Sequence, residues 1–100
     1  MNKHAKTLLV INAEAVLEKN LSRDVRERGA QGWTVTEVHG ASLEGVREGA
    51  WEADRTIEMK VICDEAVADA IAEHVLATYA PHYSVALWFT PVQVLRPERY

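Results

Sequence analysis

Gly32-Trp33-Thr34-Val35-Thr36-Glu37-Val38-His39-Gly40 is the stretch on which the fold assignment turns. Its β-branched density favours a strand over a helix, and a glycine stands at each end. The next segment, Ala41 to Asp54, has neither a helical nor a strand period. A second strand then runs from Arg55 to Cys63. Ile57, Met59, Val61 and Cys63 share one face, with Thr56, Glu58, Lys60 and Ile62 on the other. Two strands with so long a connection make a hairpin with an extended tip. Tips of this length in compact domains are functional or disordered. Gly40, Gly45 and Gly49, with few apolar residues between them, predict a mobile segment over about 41–54.

Outward from this hairpin the chain is regular. Thr7 to Ile11 is a short apolar run of strand type within Lys6–Asn12. Asn12 is placed to cap a helix and Glu14 to sit in its first turn. Val16, Leu17, Leu21 and Val25 recur at helical spacing over Glu14–Arg28, and Gly29 and Gly32 are the natural stops. After the second hairpin strand, Asp64 reads as the cap of another helix. Its apolar stripe runs from Val67 through Ile71, Val75 and Leu76 to Tyr79, and Pro81 ends it. Tyr83–Thr90 is the last strand. Pro91 interrupts it before Val92–Leu95 resumes, and Arg96–Tyr100 forms the tail.

The order β-α-β-β-α-β predicts an α+β, ferredoxin-like fold: an antiparallel four-stranded sheet with both helices on one face. The chain of 100 residues is a single domain, 1–100, able to bury roughly 65% of its unfolded surface. The other sheet face is then mixed, with Thr34, Thr36, Glu58 and Lys60 polar and Trp33, Trp88 and Phe89 apolar. Such a face is best buried by a neighbouring subunit, so an oligomer is expected.

Composition narrows the function. A net charge of −4 argues against a nucleic-acid surface. Cys63 is the only cysteine, which excludes an internal disulfide and a cysteine-based metal site and fits a reducing, cytoplasmic setting. The apolar run Leu8–Ile11 is too short for a signal peptide or membrane span. His4, His39, His74 and His82 show no metal-ligand spacing, and no metal is expected.

The segment Gly-Trp-Thr-Val-Thr-Glu-Val-His-Gly at 32–40 resembles the strand that enters the T-loop of PII signalling proteins, and the preceding Arg-Gly-Ala-Gln-Gly fits as well. The resemblance spans about Lys6 to Arg99. It is strongest to the PII-like branch associated with carboxysomes and bicarbonate transport, where a compact T-loop carries a Val-Arg pair followed by Gly, as in Val46-Arg47-Glu48-Gly49. The resemblance implies a homotrimer that binds adenine nucleotides, and in some members bicarbonate, in clefts between subunits. It implies no chemistry of the protein's own. The T-loop would dock on a bicarbonate transporter or a carbon-fixation protein and so regulate inorganic-carbon uptake or fixation. A cytoplasmic protein would be recruited to the inner membrane through such a transporter.

Carried over by position, Thr34 matches the threonine near adenine. Gly40, Ala41 and Ser42 match the backbone passing ribose and phosphate. Arg47 matches a T-loop arginine that can reach phosphates, and Arg96 and Arg99 match C-terminal arginines that reach the phosphates across the subunit boundary. Ala80-Pro81-His82-Tyr83 stands where the family has a phosphate-gripping Gly-Asp-Gly-Lys loop, which favours ADP or AMP over ATP. The segment 41–54 holds no tyrosine for uridylylation, and the tail lacks paired cysteines for a redox switch.

The residue chemistry is compatible with this. Arginine binds two phosphate oxygens at once, so Arg96 and Arg99 are favoured as phosphate contacts, while Arg47 reads equally as a solvated side chain. Lys60, Glu58 and Arg47 are candidates for a bicarbonate site. Lys60 and Glu58 read equally well as an interstrand ion pair worth under about 1 kcal/mol. Arg47 and Trp51 are candidates for partner docking. Two alternatives differ in class: a small enzyme with weak nucleotide hydrolysis, and a trimer of the divalent-ion-tolerance type. The first predicts turnover above background, and the second predicts clustered metal ligands.

Overall fold

The computed structural model describes residues 1–39 and 55–100. Four strands form one antiparallel sheet: β1 (His4–Glu14), β2 (Thr34–Val38), β3 (Thr56–Cys63) and β4 (Val85–Val94), in the spatial order β2-β3-β1-β4. Helices α1 (Glu18–Glu27) and α2 (Glu65–Thr78) connect β1 to β2 and β3 to β4. This is the expected ferredoxin-like α+β arrangement.

Register separates the two faces. Val35, Met59, Ile11 and Leu87 lie side by side across the sheet and face the helices. Thr34, Lys60, Val10 and Trp88 form the adjacent row on the open face. The core is the helix-side layer: Leu9, Ile11, Met59 and Val61 from the sheet meet Leu21 and Val25 of α1 and Ala68, Ile71 and Val75 of α2. Each fully buried aliphatic side chain contributes about 1.5–3 kcal/mol, so this layer is the main stabilising contact.

Several sequence expectations need correction. Asn12 does not cap a helix, because β1 continues to Glu14 and Asn12 pairs with Glu58 and Ala86 in the sheet. The first helical turn is instead a 3-10 turn, Ala15–Leu17, which leaves Val16 exposed. Glu14 accepts a hydrogen bond from the Ser84 backbone N–H at 2.7 Å rather than facing the α1 dipole. Asp64 makes no capping bond, since its carboxylate receives Lys6 Nζ at 2.7 Å. Leu76, read as part of the apolar stripe, is exposed. Pro91 does not break β4: it pairs with Thr7, and β4 lies at the sheet edge, where a missing N–H leaves no ladder unmade. Phe89 and Trp33 belong to the helix side, Phe89 by its register with Leu9 and Trp33 by its bond to α1, so only Trp88 of the three lies on the open face.

Gly29 ends α1 at φ 109°, a conformation that a Cβ would strain. Ala30 N–H donates to Val25 O at 3.0 Å and Gly29 N–H to Arg26 O at 3.1 Å, with Ala30 and Val25 both buried. This is the Schellman closure, and it turns the chain into β2.

Asp24, on α1, is only 2% exposed. It accepts hydrogen bonds from Tyr79 Oη and from Arg23 Nε and Nη2 at 3.2 and 3.1 Å. His74 Nε2 stands 3.1 Å away. Arg28 Nη2 lies 2.7 Å from His74 Nδ1, and since a guanidinium can only donate, Nδ1 is the acceptor and the imidazole carries its proton on Nε2, toward Asp24. The cluster fastens α1 to the end of α2. Burial pushes the Asp24 carboxyl up, but the hydrogen bonds from Tyr79 and Arg23 and the neighbouring His74 outweigh it, leaving the group below its ordinary value. A depressed carboxylate adds stability that is fully present above the unfolded value and is lost as pH falls through the folded one. Asp24→Asn should therefore cost about 2–4 kcal/mol at pH 7. The acid limb of a thermal-unfolding series below about pH 4 should be shallower in the variant than in the wild type; parallel limbs would contradict this account.

Candidate functional site

An open cleft of about 920 Å³ lies at one end of the sheet, where β2 begins and β3 and β4 finish. The topology makes it. From the edge strand β4, the tail turns back as a short 3-10 turn, Pro97–Arg99, toward the start of β2 and the end of β3. Trp33, Thr34 and Lys60 form one wall, and Arg96, Glu98 and Arg99 the other. Gly32 also lines it, and a Cβ there would meet nothing within 4 Å. The glycine leaves room in the cleft and is not required by contacts within the chain.

The tail is held by Lys6. Its ammonium donates to Asp64 Oδ1 at 2.7 Å and to the Tyr100 main-chain oxygen at 3.1 Å, and the side chain is only 12% exposed. One cation thus ties together β1, the start of α2 and the tail that carries Arg96 and Arg99. Trp33 is fixed from behind: its Nε1 donates to Ser22 Oγ at 3.2 Å, and the Arg26 guanidinium sits 5.2 Å from the ring centre. The indole is therefore held on the helix side, against α1, at a residue that borders the cleft.

Of the residues predicted from the sequence, Thr34, Lys60, Arg96 and Arg99 are brought together in this cleft. Glu58 does not line it. It stands opposite Thr36, one position along the open face, with Oε1 3.5 Å from Lys60 Nζ. That pair lies within β3, not between strands. Gly40, Ala41, Ser42, Arg47 and Trp51, with the expected mobility of 41–54, lie outside the described residues. The Ala80–Tyr83 turn closes on Tyr79, with His82 and Tyr83 N–H both 2.9 Å from its carbonyl. It precedes β4 and so lies at the opposite end of the sheet from the cleft. Sequence reasoning missed Trp33 as a wall, Lys6 as the tail's anchor and Glu98 inside the cleft. Only the adjacency of Trp33 to Thr34 signalled the first.

Chemically, the described residues that line the cleft combine the Thr34 hydroxyl and three cationic side chains, Lys60, Arg96 and Arg99, with apolar Ile62, Val94 and Leu95. That set suits a ligand with a flat ring at one end and negative charge at the other. Among the described residues, no group of three or more histidine, cysteine or acidic side chains is arranged to hold a metal ion, and no helix is long and apolar enough to cross a membrane. Cys63 is buried, and burial pushes its thiol up to about 11.

Residues 6–99 match the family profile described as nitrogen regulatory protein P-II. A protein of Thermus thermophilus named as a PII-like signaling protein is 36% identical, with a TM-score of 0.85 over 100% of this chain and 99% of its own. CPII of Thiomonas intermedia shares the fold at lower identity. Its structure bound to ADP, AMP and acetate gives 16% identity and a TM-score of 0.84, covering 100% and 98% of the two chains. Its structure bound to ADP and bicarbonate gives 19% and 0.84, covering 98% and 96%. None of the curated proteins compared with the chain matches it.

The Lys6 anchor has a direct test. Lys6→Met should leave the sheet intact but release the tail, so that the Arg99 and Tyr100 amides, bonded to Arg96 O at 3.1 Å and Pro97 O at 3.2 Å, exchange with solvent about tenfold faster. Unchanged exchange at both amides would show that the tail holds its place without Lys6.

Proposed function

The chain belongs to the nitrogen regulatory protein P-II family, and from that premise we propose that it is a non-enzymatic signalling protein that binds an adenine nucleotide, ADP or AMP in preference to ATP, in the cleft between β2, β3 and the tail. The observation that carries the reading is the convergence of Lys60, Arg96 and Arg99 beside Thr34. Thr34 sits where the base would lie, and the arginines would take the phosphates by paired hydrogen bonds. That CPII, a protein of the same fold, is described as bound to ADP, AMP and bicarbonate supports both ligand classes. Bicarbonate would sit against Lys60, the cation nearest the sheet.

The same proposal includes a homotrimer. The open face carries Trp88, still 44% exposed, beside Val10 and Lys60. Asn12 Oδ1 is buried without a partner among the described residues. A half-exposed tryptophan and an unsatisfied amide oxygen are both features that subunit packing removes. The cleft is open on one side, and a neighbouring subunit would complete it. Segment 41–54, with Arg47 and Trp51, is the proposed docking element for a transporter or carbon-fixation protein, through which nucleotide state would regulate inorganic-carbon uptake or fixation. Arg55 and Glu37, paired at 2.8 Å between β2 and β3, flank its base.

Calorimetric titration with AMP, ADP and ATP, each with and without bicarbonate, tests the ligand. The expected result is micromolar binding of AMP or ADP, weakened about 10–100-fold by Arg99→Ala. If bicarbonate tightens that binding, the nucleotide must tighten bicarbonate by the same factor. No heat with any nucleotide would overturn the reading. Sedimentation tests the assembly: the wild type should run as a trimer and Trp88→Glu as a monomer, because the substitution places a charge in the buried interface. A monomeric wild type would overturn the proposed trimer.

A further inference from the structure

Two of the three cations in the cleft already have carboxylate partners. Arg96 Nε lies 3.6 Å from Glu98 Oε1, and Lys60 Nζ lies 3.5 Å from Glu58 Oε1. Among the described residues, Arg99 has no such partner. The Arg96–Glu98 pair is not well explained by stability. Arg96 and Glu98 are 69% and 65% exposed, and ion pairs so open to water contribute little to folding. Their location is more informative. Glu98 lines the same cleft as the arginines on either side of it, so a fixed negative charge stands where the phosphates of a ligand would lie.

We infer that Glu98 is a specificity-determining residue that limits how much negative charge the cleft accepts, admitting a nucleoside mono- or diphosphate and disfavouring a triphosphate. The inference rests on the nucleotide reading above and adds the side chain that sets the preference. A phosphate monoester near pH 7 carries about −1.5 to −2 charge, and each added phosphate brings a further negative charge. Arg99 can take the first phosphate unopposed. Every further phosphate must draw Arg96 from Glu98 while approaching the Glu98 carboxylate itself. Like charges at this range repel, and the repulsion grows with ligand charge. Glu58 acts in the same sense on Lys60, from outside the cleft.

The test compares the wild type, Glu98→Gln and Asp69→Asn by titration with AMP, ADP and ATP, without divalent cations, at low and high salt. Glu98→Gln keeps the side chain's shape and removes its charge at an exposed position, so the fold should be unaffected. Asp69→Asn makes the same change in net charge on the exposed surface of α2. Glu98→Gln should tighten ATP about tenfold and AMP no more than about threefold, and the difference should shrink at high salt, where the Debye length falls to about 3 Å. Asp69→Asn should leave the ATP-to-AMP ratio where it is. An unchanged ratio in Glu98→Gln, or an equal shift in Asp69→Asn, would overturn the inference while leaving the nucleotide site standing. No nucleotide binding by any of the three proteins would overturn both.

Discussion

A four-stranded sheet has two faces, and two short helices cover only one. That constraint shapes the rest of the molecule. On the helix side the chain builds a dry layer of aliphatic side chains from β1, β3, α1 and α2. On the other side, no element among the described residues covers the sheet. The residues there are a compromise: Thr34, Lys60 and Thr36 tolerate water, while Val10 and Trp88 do not prefer it. A face of this composition suits contact with another subunit, and the proposed trimer is the arrangement that would satisfy it. The cleft follows from the same geometry, since it forms where the tail lies across the end of the sheet.

Polar contacts then hold the pieces that hydrophobic packing leaves loose. The helix pair shares few side chains beyond the core, and the Asp24 cluster joins α1 to the end of α2 through Tyr79 and His74. Lys6 does the same for the tail. Both are low-exposure charges matched by several partners, the condition under which a buried charge is tolerated. Both also connect residues far apart in sequence, which restricts the relative motion of elements that the sheet alone does not fix.

The fold was legible in the sequence because it rests on periodicity. The alternation of Ile57, Met59, Val61 and Cys63, and the 3.6-residue recurrence through α2, are local patterns that the core preserves. The misreadings arose where a residue's role depends on a distant partner. Asn12 and Asp64 both look like helix caps, but one is claimed by a longer β1 and the other by Lys6. Pro91 looks like a break, and only the strand order shows that it sits on an edge. The candidate site was half legible. Thr34, Lys60, Arg96 and Arg99 were found by resemblance and chemistry, and the structure brings them together. Trp33 and Glu98 were missed because their contribution is visible only once the tail is folded back. The role of His74 was hidden for the same reason: its partners, Asp24 and Arg28, lie on the other helix and the turn that follows it.

The electrostatics among the described residues of the cleft bear on the proposed sensor role. Hydrolysis of a nucleotide needs a base or a positioned water held against the phosphorus, with cations concentrated on the leaving oxygens. Here two of the three cations are shared with carboxylates, and Arg96 and Lys60 are more than half exposed. An open, partly neutralised cleft suits reversible binding of phosphate better than the concentration of charge on a transition state. On the proposed nucleotide reading, such a site would respond to a change in ligand identity, because small differences in phosphate count would alter the balance between these cations and their carboxylates. Paired carboxylates that would weaken an enzyme would, on that reading, be the means of telling one nucleotide from another.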